Sequence, residues 1–127
     1  MSRWVVDSSA VLAYLRDEPG GEVVEKALNS SALSAVNAAE VMTKLIQRGE
    51  GSAVAAAVVA SLAYRIVAVD ADLGLAAGRI HAATRAFGLS LGDAVCLALA
   101  EREGLPALTA DRAWAEIGIG VEVRVIR

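Results

Sequence analysis

Trp4-Val5-Val6-Asp7-Ser8-Ser9-Ala10-Val11-Leu12-Ala13-Tyr14-Leu15 decides the reading of this chain. Three consecutive apolar residues read as a buried strand. The run stops at Asp7, and apolar residues then recur at helical spacing. A buried strand that passes through an acid straight into a helix is the opening of an α/β unit. The pattern repeats downstream. Pro19-Gly20-Gly21 breaks the first helix. Glu22 to Leu28 reads as a helix and Ala32-Leu33-Ser34 as a short strand. Ala38 to Gln47 and Ala53 to Tyr64 read as helices, parted by Gly49 and Gly51. Ile66 to Val69 is a strand, Leu73 to Phe87 one long helix, and Ala94 to Glu103 another. Pro106 to Thr109 is a strand, Arg112 to Ile117 a short helix, and Val121 to Ile126 a closing strand. Strands alternating with helices predict an α/β fold, a three-layer sandwich with a short, mostly parallel central sheet. With 127 residues and no linker or repeat, the expectation is one domain over residues 1–127.

Composition narrows the function classes. Apolar residues make up 56% of the chain and aromatics only 4%, which excludes a disordered chain and leaves a core of Ala, Val, Leu and Ile. One cysteine, Cys96, excludes an intrachain disulfide, and one histidine, His81, excludes a His-pair zinc site within the chain. No secretory signal is visible at Met1-Ser2-Arg3, and the apolar stretch Ala53 to Tyr64 is too short to span a bilayer. The expectation is a cytoplasmic protein with no membrane partner. The apolar excess points to self-association. His81 reads as a packing or surface residue rather than a ligand, Cys96 as a small buried hydrophobe, and Asp70 and Asp72 as acids at a helix start.

Four acids stand at element junctions: Asp7 after the first strand, Glu40 near a helix start, Asp93 opening a helix, and Asp111 two residues past Thr109. Each has an ordinary structural reading. Asp7, Asp93 and Asp111 can cap helices. Asn37-Ala38-Ala39-Glu40 and Ser90-Leu91-Gly92-Asp93 have capping-box spacing, and Glu40 can pair with Lys44. Together they imply more. Ligands of open parallel sheets bind beyond the carboxyl ends of the strands, where Asp7 and Asp111 fall. Carboxylates crowded there would repel and raise their pKa values unless a cation compensates. Oxygen-only donors select hard divalent ions.

The quoted residues resemble a known family. Val5-Val6-Asp7-Ser8-Ser9-Ala10 resembles the opening motif of PIN-domain ribonucleases, and Asn37-Ala38-Ala39-Glu40-Val41 their second. Leu91-Gly92-Asp93-Ala94 resembles the third, and Leu108-Thr109-Ala110-Asp111-Arg112-Ala113-Trp114 the last. The four occur in the family's order over nearly the whole chain, whose compact length is similar to that of VapC-type toxins of type II toxin–antitoxin systems. The resemblance implies a Mg²⁺-dependent endoribonuclease, with Mn²⁺ as the other candidate ion. Asp7, Glu40, Asp93 and Asp111 would be the catalytic and metal-binding quartet, and Ser9, Thr109 and Asn37 supporting residues. Gly92 stands where such proteins vary and is given no role.

The expected chemistry is in-line attack on an RNA phosphodiester by a metal-activated water, leaving a 5′-phosphate. The candidate RNA contacts are Arg112, Lys44 and Arg48, with Arg79 and Arg85 on the long helix. The scarcity of aromatics favours recognition of backbone and shape. The resemblance also implies an antitoxin partner that covers the acidic site, and a homodimer. A response-regulator receiver is disfavoured because no lysine follows Lys44, and a haloacid-dehalogenase phosphatase because residue 9 is Ser rather than Asp. The remaining alternative is a PIN-fold RNA-binding or interaction module without turnover. Net charge does not decide the matter. The 15 acidic and 12 basic residues give −3, but with the quartet set aside 11 acids face 12 basic residues.

Overall fold

A computed structural model describes residues 2–62 and 65–127. Among the described residues five short strands form one sheet: β1 (Trp4–Val6), β2 (Ser31–Ser34), β3 (Arg65–Val67), β4 (Ala107–Thr109) and β5 (Val123–Val125). Their order is β3-β2-β1-β4-β5, and each pairing is parallel. β1 is central, with Val5 opposite Ala32 on one side and Ala107 on the other. Parallel neighbours need crossover connections. Helices α1 (Ser8–Leu15) and α2 (Gly21–Ala27) carry the first, α3 (Ala35–Gln47) and α4 (Ser52–Leu62) the second, and α5 (Ala71–Ala83) and α6 (Leu91–Glu103) the third. A short 3-10 helix, Arg112–Glu116, lies in the last.

The three layers follow from strand alternation, since successive side chains point to opposite faces. Val5 enters a core that includes Leu73, Ile80, Leu97, Leu99 and Trp114. Val6 enters a second core that includes Val11, Val24, Leu33, Val41 and Leu108. Helix α6 is buried from Ala94 through Ala100, as expected of a helix apolar on all sides. By contrast α4, although apolar in sequence, buries only Ala55 and Val59 and leaves Val54 exposed.

Several boundaries differ from the sequence reading, two of them because serine caps lie upstream of the apolar pattern. Helix α3 starts at Ala35, not Ala38: Ser34 is its N-cap and accepts the amide of Asn37. The supposed Asn37–Glu40 capping box is therefore absent, and Glu40 lies in the second turn. Helix α6 starts at Leu91 rather than Ala94. Ser90 caps it, and Asp93 completes the capping box foreseen for this segment. The long helix expected from Leu73 to Phe87 starts earlier and stops at Ala83. The Thr84 hydroxyl bonds back to the Ile80 carbonyl, and a 3-10 turn over Arg85–Phe87 follows. Strand β3 ends at Val67, and β5 occupies only Val123–Val125. The last residues of the expected Ala53–Tyr64 helix, Ala63 and Tyr64, lie outside the described residues.

The chain lays β1, β2 and β3 outward to one side, then returns to place β4 on the other side of β1. The reversal opens a crevice between the carboxyl ends of β1 and β4, the position where such sheets bind ligands. Burial assigns the energetics of the scaffold. Leu97 is fully buried and Leu75 is 76% exposed. Leu97→Ala is expected to lower unfolding free energy by about 2–5 kcal/mol and Leu75→Ala by less than about 0.5 kcal/mol, measured by urea denaturation.

Candidate active site

Asp7 leaves β1 at the crevice and caps α1 by accepting the Ala10 amide on Oδ1 at 2.8 Å. It is only 1% exposed. Ser9 Oγ donates to the same carboxylate at 2.8 Å, and Thr109 Oγ1, at the end of β4, donates to Oδ2 at 2.6 Å. Each hydroxyl is oriented by a backbone donor. Ala110 N donates to Ser9 Oγ at 3.0 Å, and Asp111 N donates to Thr109 Oγ1 at 3.1 Å. With one proton each, both hydroxyls are thereby aimed at Asp7. Both hydroxyls thus bond to Asp7, and the network ties β1, α1 and the β4 loop together.

Glu40 reaches the crevice from α3. Its Oε1 accepts from Ser8 Oγ at 3.0 Å and from Asn37 Nδ2 at 2.8 Å. Asn37 is fully buried. Its Nδ2 also donates to the Gly92 carbonyl at 3.1 Å, and its Oδ1 accepts from Ser34 Oγ at 2.7 Å. Asn37 is thus a bridge between α3 and α6 as well as a neighbour of Glu40. The expected Glu40–Lys44 ion pair does not form. Ser8, Ser34 and Gly92 are participants that the sequence reading missed. Ser34 before an apolar run was a visible cap signal, whereas Ser8 and Gly92 gave none.

Asp93 and Asp111 complete the arrangement. Asp93 is half-buried, and its Oδ2 accepts the Ser90 amide at 2.9 Å. Asp111 is exposed at the rim and caps the 3-10 helix by accepting the Ala113 amide. The four acids feel one another. Asp93 is raised above the ordinary aspartate value, first by burial and then by the charges of Glu40 and Asp111. Asp7 is raised from 3.8 to about 6, mainly by burial, with its three donors opposing and Asp93 adding a smaller push. Crowding was expected to raise these values, and desolvation turns out to be the larger cause. Beneath them, burial and the negative charges of Asp7, Asp93 and Glu40 push the Cys96 thiol up.

Among the described residues none of the four carboxylates has a Lys or Arg within ion-pair distance. A buried carboxylate without a cation is costly, and oxygen donors suit a hard divalent ion. No three Asp, Glu, His or Cys side chains among the described residues already form a ligand group. Any hard ion held here would therefore touch fewer than three of these carboxylates directly and would need water or substrate oxygens for the rest of its shell.

The candidate cations divide. Lys44 and Arg48 are exposed and unpaired among the described residues. Arg112 is exposed but donates from Nε to the Arg127 carbonyl at 3.1 Å. Arg79 is engaged with Glu101 at 2.6 Å, and Asp70 caps α5 and pairs with Arg102. No helix among the described residues is long and apolar enough to cross a membrane.

Comparison with known proteins bears on the whole arrangement. The family model described as PIN domain matches residues 4–120. No curated protein matches the chain significantly by sequence. Among solved structures, a toxin–antitoxin complex from Klebsiella pneumoniae has a chain 18% identical, with TM-score 0.75 and 97% of each chain covered. VapC20 of Mycobacterium tuberculosis, described as a sarcin-ricin loop cleaving toxin, is 24% identical, with TM-score 0.73 and coverage of 95% and 98%. The DNA-bound VapBC of Salmonella typhimurium is 16% identical, with TM-score 0.73 and full coverage of both chains. At these identities the likeness is one of fold.

The raised Asp7 pKa has a consequence for stability. Below pH 3.8 the carboxyl is protonated in both folded and unfolded chains and costs nothing. Above about 6 it is ionised in both, and the folded state bears the whole penalty, about 3 kcal/mol. Without divalent ions, this group makes the protein less stable as pH rises through that window. Asp7→Asn is therefore expected to melt several degrees above the parent at pH 7.5, with the gap closing near pH 4 in calorimetry.

Proposed function

The chain belongs to the PIN domain family, and from that premise we propose that it is a divalent-metal-dependent endoribonuclease, the toxin of a toxin–antitoxin pair. The observation that carries this reading is the gathering of Asp7, Glu40, Asp93 and Asp111 without a cationic partner at the crevice between β1 and β4. Asp7, Asp93 and Asp111 would hold Mg²⁺ or Mn²⁺, directly or through water, with Glu40 completing the shell. When bound, the ion supplies positive charge to the phosphate oxygens and makes water a competent nucleophile.

The protein's own residues set the geometry. Ser9 and Thr109 hold the Asp7 carboxylate in one orientation through their aimed hydroxyls. Asn37 and Ser8 do the same for Glu40. Lys44 and Arg48 lie one and two turns beyond Glu40 on α3 and offer charge to an RNA backbone running from the crevice. The exposed start of α6 at Leu91 and the apolar outer side of α4 offer surface to an antitoxin or a second copy, in a cytoplasmic, single-domain protein. The toxin–antitoxin assignment also draws on the names of the structures it resembles in fold.

Incubation with RNA and Mg²⁺ tests the reading. Cleavage should stop in EDTA and fall on the order of 10²–10³-fold in Asp7→Asn or Asp93→Asn. The products should carry 5′-phosphates, and 2′,3′-cyclic phosphate ends would overturn the mechanism. Replacing Lys44 and Arg48 together by alanine should weaken RNA binding and reduce the slope of log affinity against log salt by about 1–2.

A further inference from the structure

Gly92 is the second residue of α6 and is buried. Its backbone is not in the left-handed region, unlike Gly88 and Gly104. Conformation therefore does not call for glycine here, and within a helix glycine is less favourable than alanine. Space is what calls for it. A Cβ at residue 92 would stand 2.8 Å from Cδ of Glu40 and 2.9 Å from its Oε1, and closer still to Oε2. Its three nearest atoms would all belong to that one carboxylate. Glu40 occupies the volume that a side chain at residue 92 would fill.

The other sides of this seat are built as well. Asn37 Nδ2 donates both to Glu40 Oε1 and to the carbonyl of Gly92, so one buried amide measures the gap between α3 and α6. Ser8 Oγ closes the seat from α1. The carboxylate rests against the first turn of a 13-residue helix, where the helix dipole favours negative charge.

We propose that Gly92 is a positioning residue of the nuclease site. Its missing side chain sets where the Glu40 carboxylate stands relative to Asp93, the next residue along α6. The inference rests on the acidic-site reading above and adds to it a steric determinant outside the quartet. The atoms that alanine would strike are the far end of a half-exposed, flexible side chain, so the carboxylate moves while the backbone stays. Gly21 provides the contrast. A Cβ there would meet the Ala13 carbonyl oxygen at 2.9 Å, an obstacle that belongs to the backbone.

A double-mutant cycle of Gly92→Ala and Glu40→Ala tests the proposal. In melting experiments without metal, Gly92→Ala should stay within a few degrees of the parent, while Gly21→Ala melts lower. Of the two Asn37 side-chain amide protons, the one bonded to Glu40 should shift in ¹⁵N-correlated spectra of Gly92→Ala and the one bonded to the residue-92 carbonyl should not, because only the Glu40 acceptor has moved. The Mn²⁺ concentration giving half-maximal thermal stabilisation should rise about 10-fold, and RNA cleavage should fall by about 10–100-fold. In the Glu40→Ala background, Gly92→Ala should change neither. Unchanged Asn37 signals with a parental Mn²⁺ response would overturn the proposal, as would equal losses in both backgrounds. If Gly92→Ala fails to fold, recovery in the double variant supports the proposal, and failure of both overturns it. If the parent cleaves no RNA, the proposed function fails, whereas the Asn37 signals and the Mn²⁺ response still decide the role of Gly92.

Discussion

The Asp7 carboxylate lies at the end of the central strand with three donors on it, no cation beside it among the described residues and almost no solvent. Ser9 arrives from α1, Thr109 from β4, and the Ala10 amide from the first turn of α1. Holding a charge there costs free energy in the absence of metal, and the surrounding structure is arranged around that cost. The short strands leave the carboxyl ends of β1 and β4 side by side. Helix α6 brings Asp93 to the site, and α3 sets the Glu40 carboxylate against the first turn of α6.

The arrangement separates two tasks that share the same residues. Asp7, Asp93 and Asp111 each cap a turn by accepting a backbone amide, which is a structural duty. Capping leaves carboxylate lone pairs unused and fixes each side chain's direction. Cap and ligand are therefore compatible roles. The acids also grade from buried Asp7, through half-buried Glu40 and Asp93, to exposed Asp111. Stability is surrendered at the deepest acid, which is the common pattern at functional sites.

The same locality explains why overall charge says little. A net charge of −3 spread over 127 residues is a weak field, whereas four carboxylates in one crevice are a strong one. Several arginines are already engaged by acids of their own, at Glu18, Asp70, Glu101 and Glu103. The cations left over on α3, Lys44 and Arg48, face outward beyond Glu40.

Much was legible in the sequence because it was local. The apolar run Trp4-Val5-Val6, its stop at Asp7, and the alternation of strands with helices determined an α/β sheet and put acids at strand ends. The capping box at Ser90–Asp93 could be read from spacing, whereas the hydroxyls Ser9 and Thr109 entered through the family resemblance. What the chain could not announce was whatever depends on residues far apart. With α3 starting at Ala35 and capped by Ser34, Asn37 is not a cap but a bridge, and its amide has a partner 55 positions away at Gly92. Ser8 binds Glu40 across 32 positions. Gly92 reads as an unremarkable helix residue until α3 is packed against α6 and the Glu40 carboxylate fills the space over its Cα. Sequence determined the alternation of strands with helices and where along the chain the four acids fall. Only the packing of α3, α6 and α1 decided how the carboxylates are held, because steric exclusion and desolvation exist only between groups that folding has brought together.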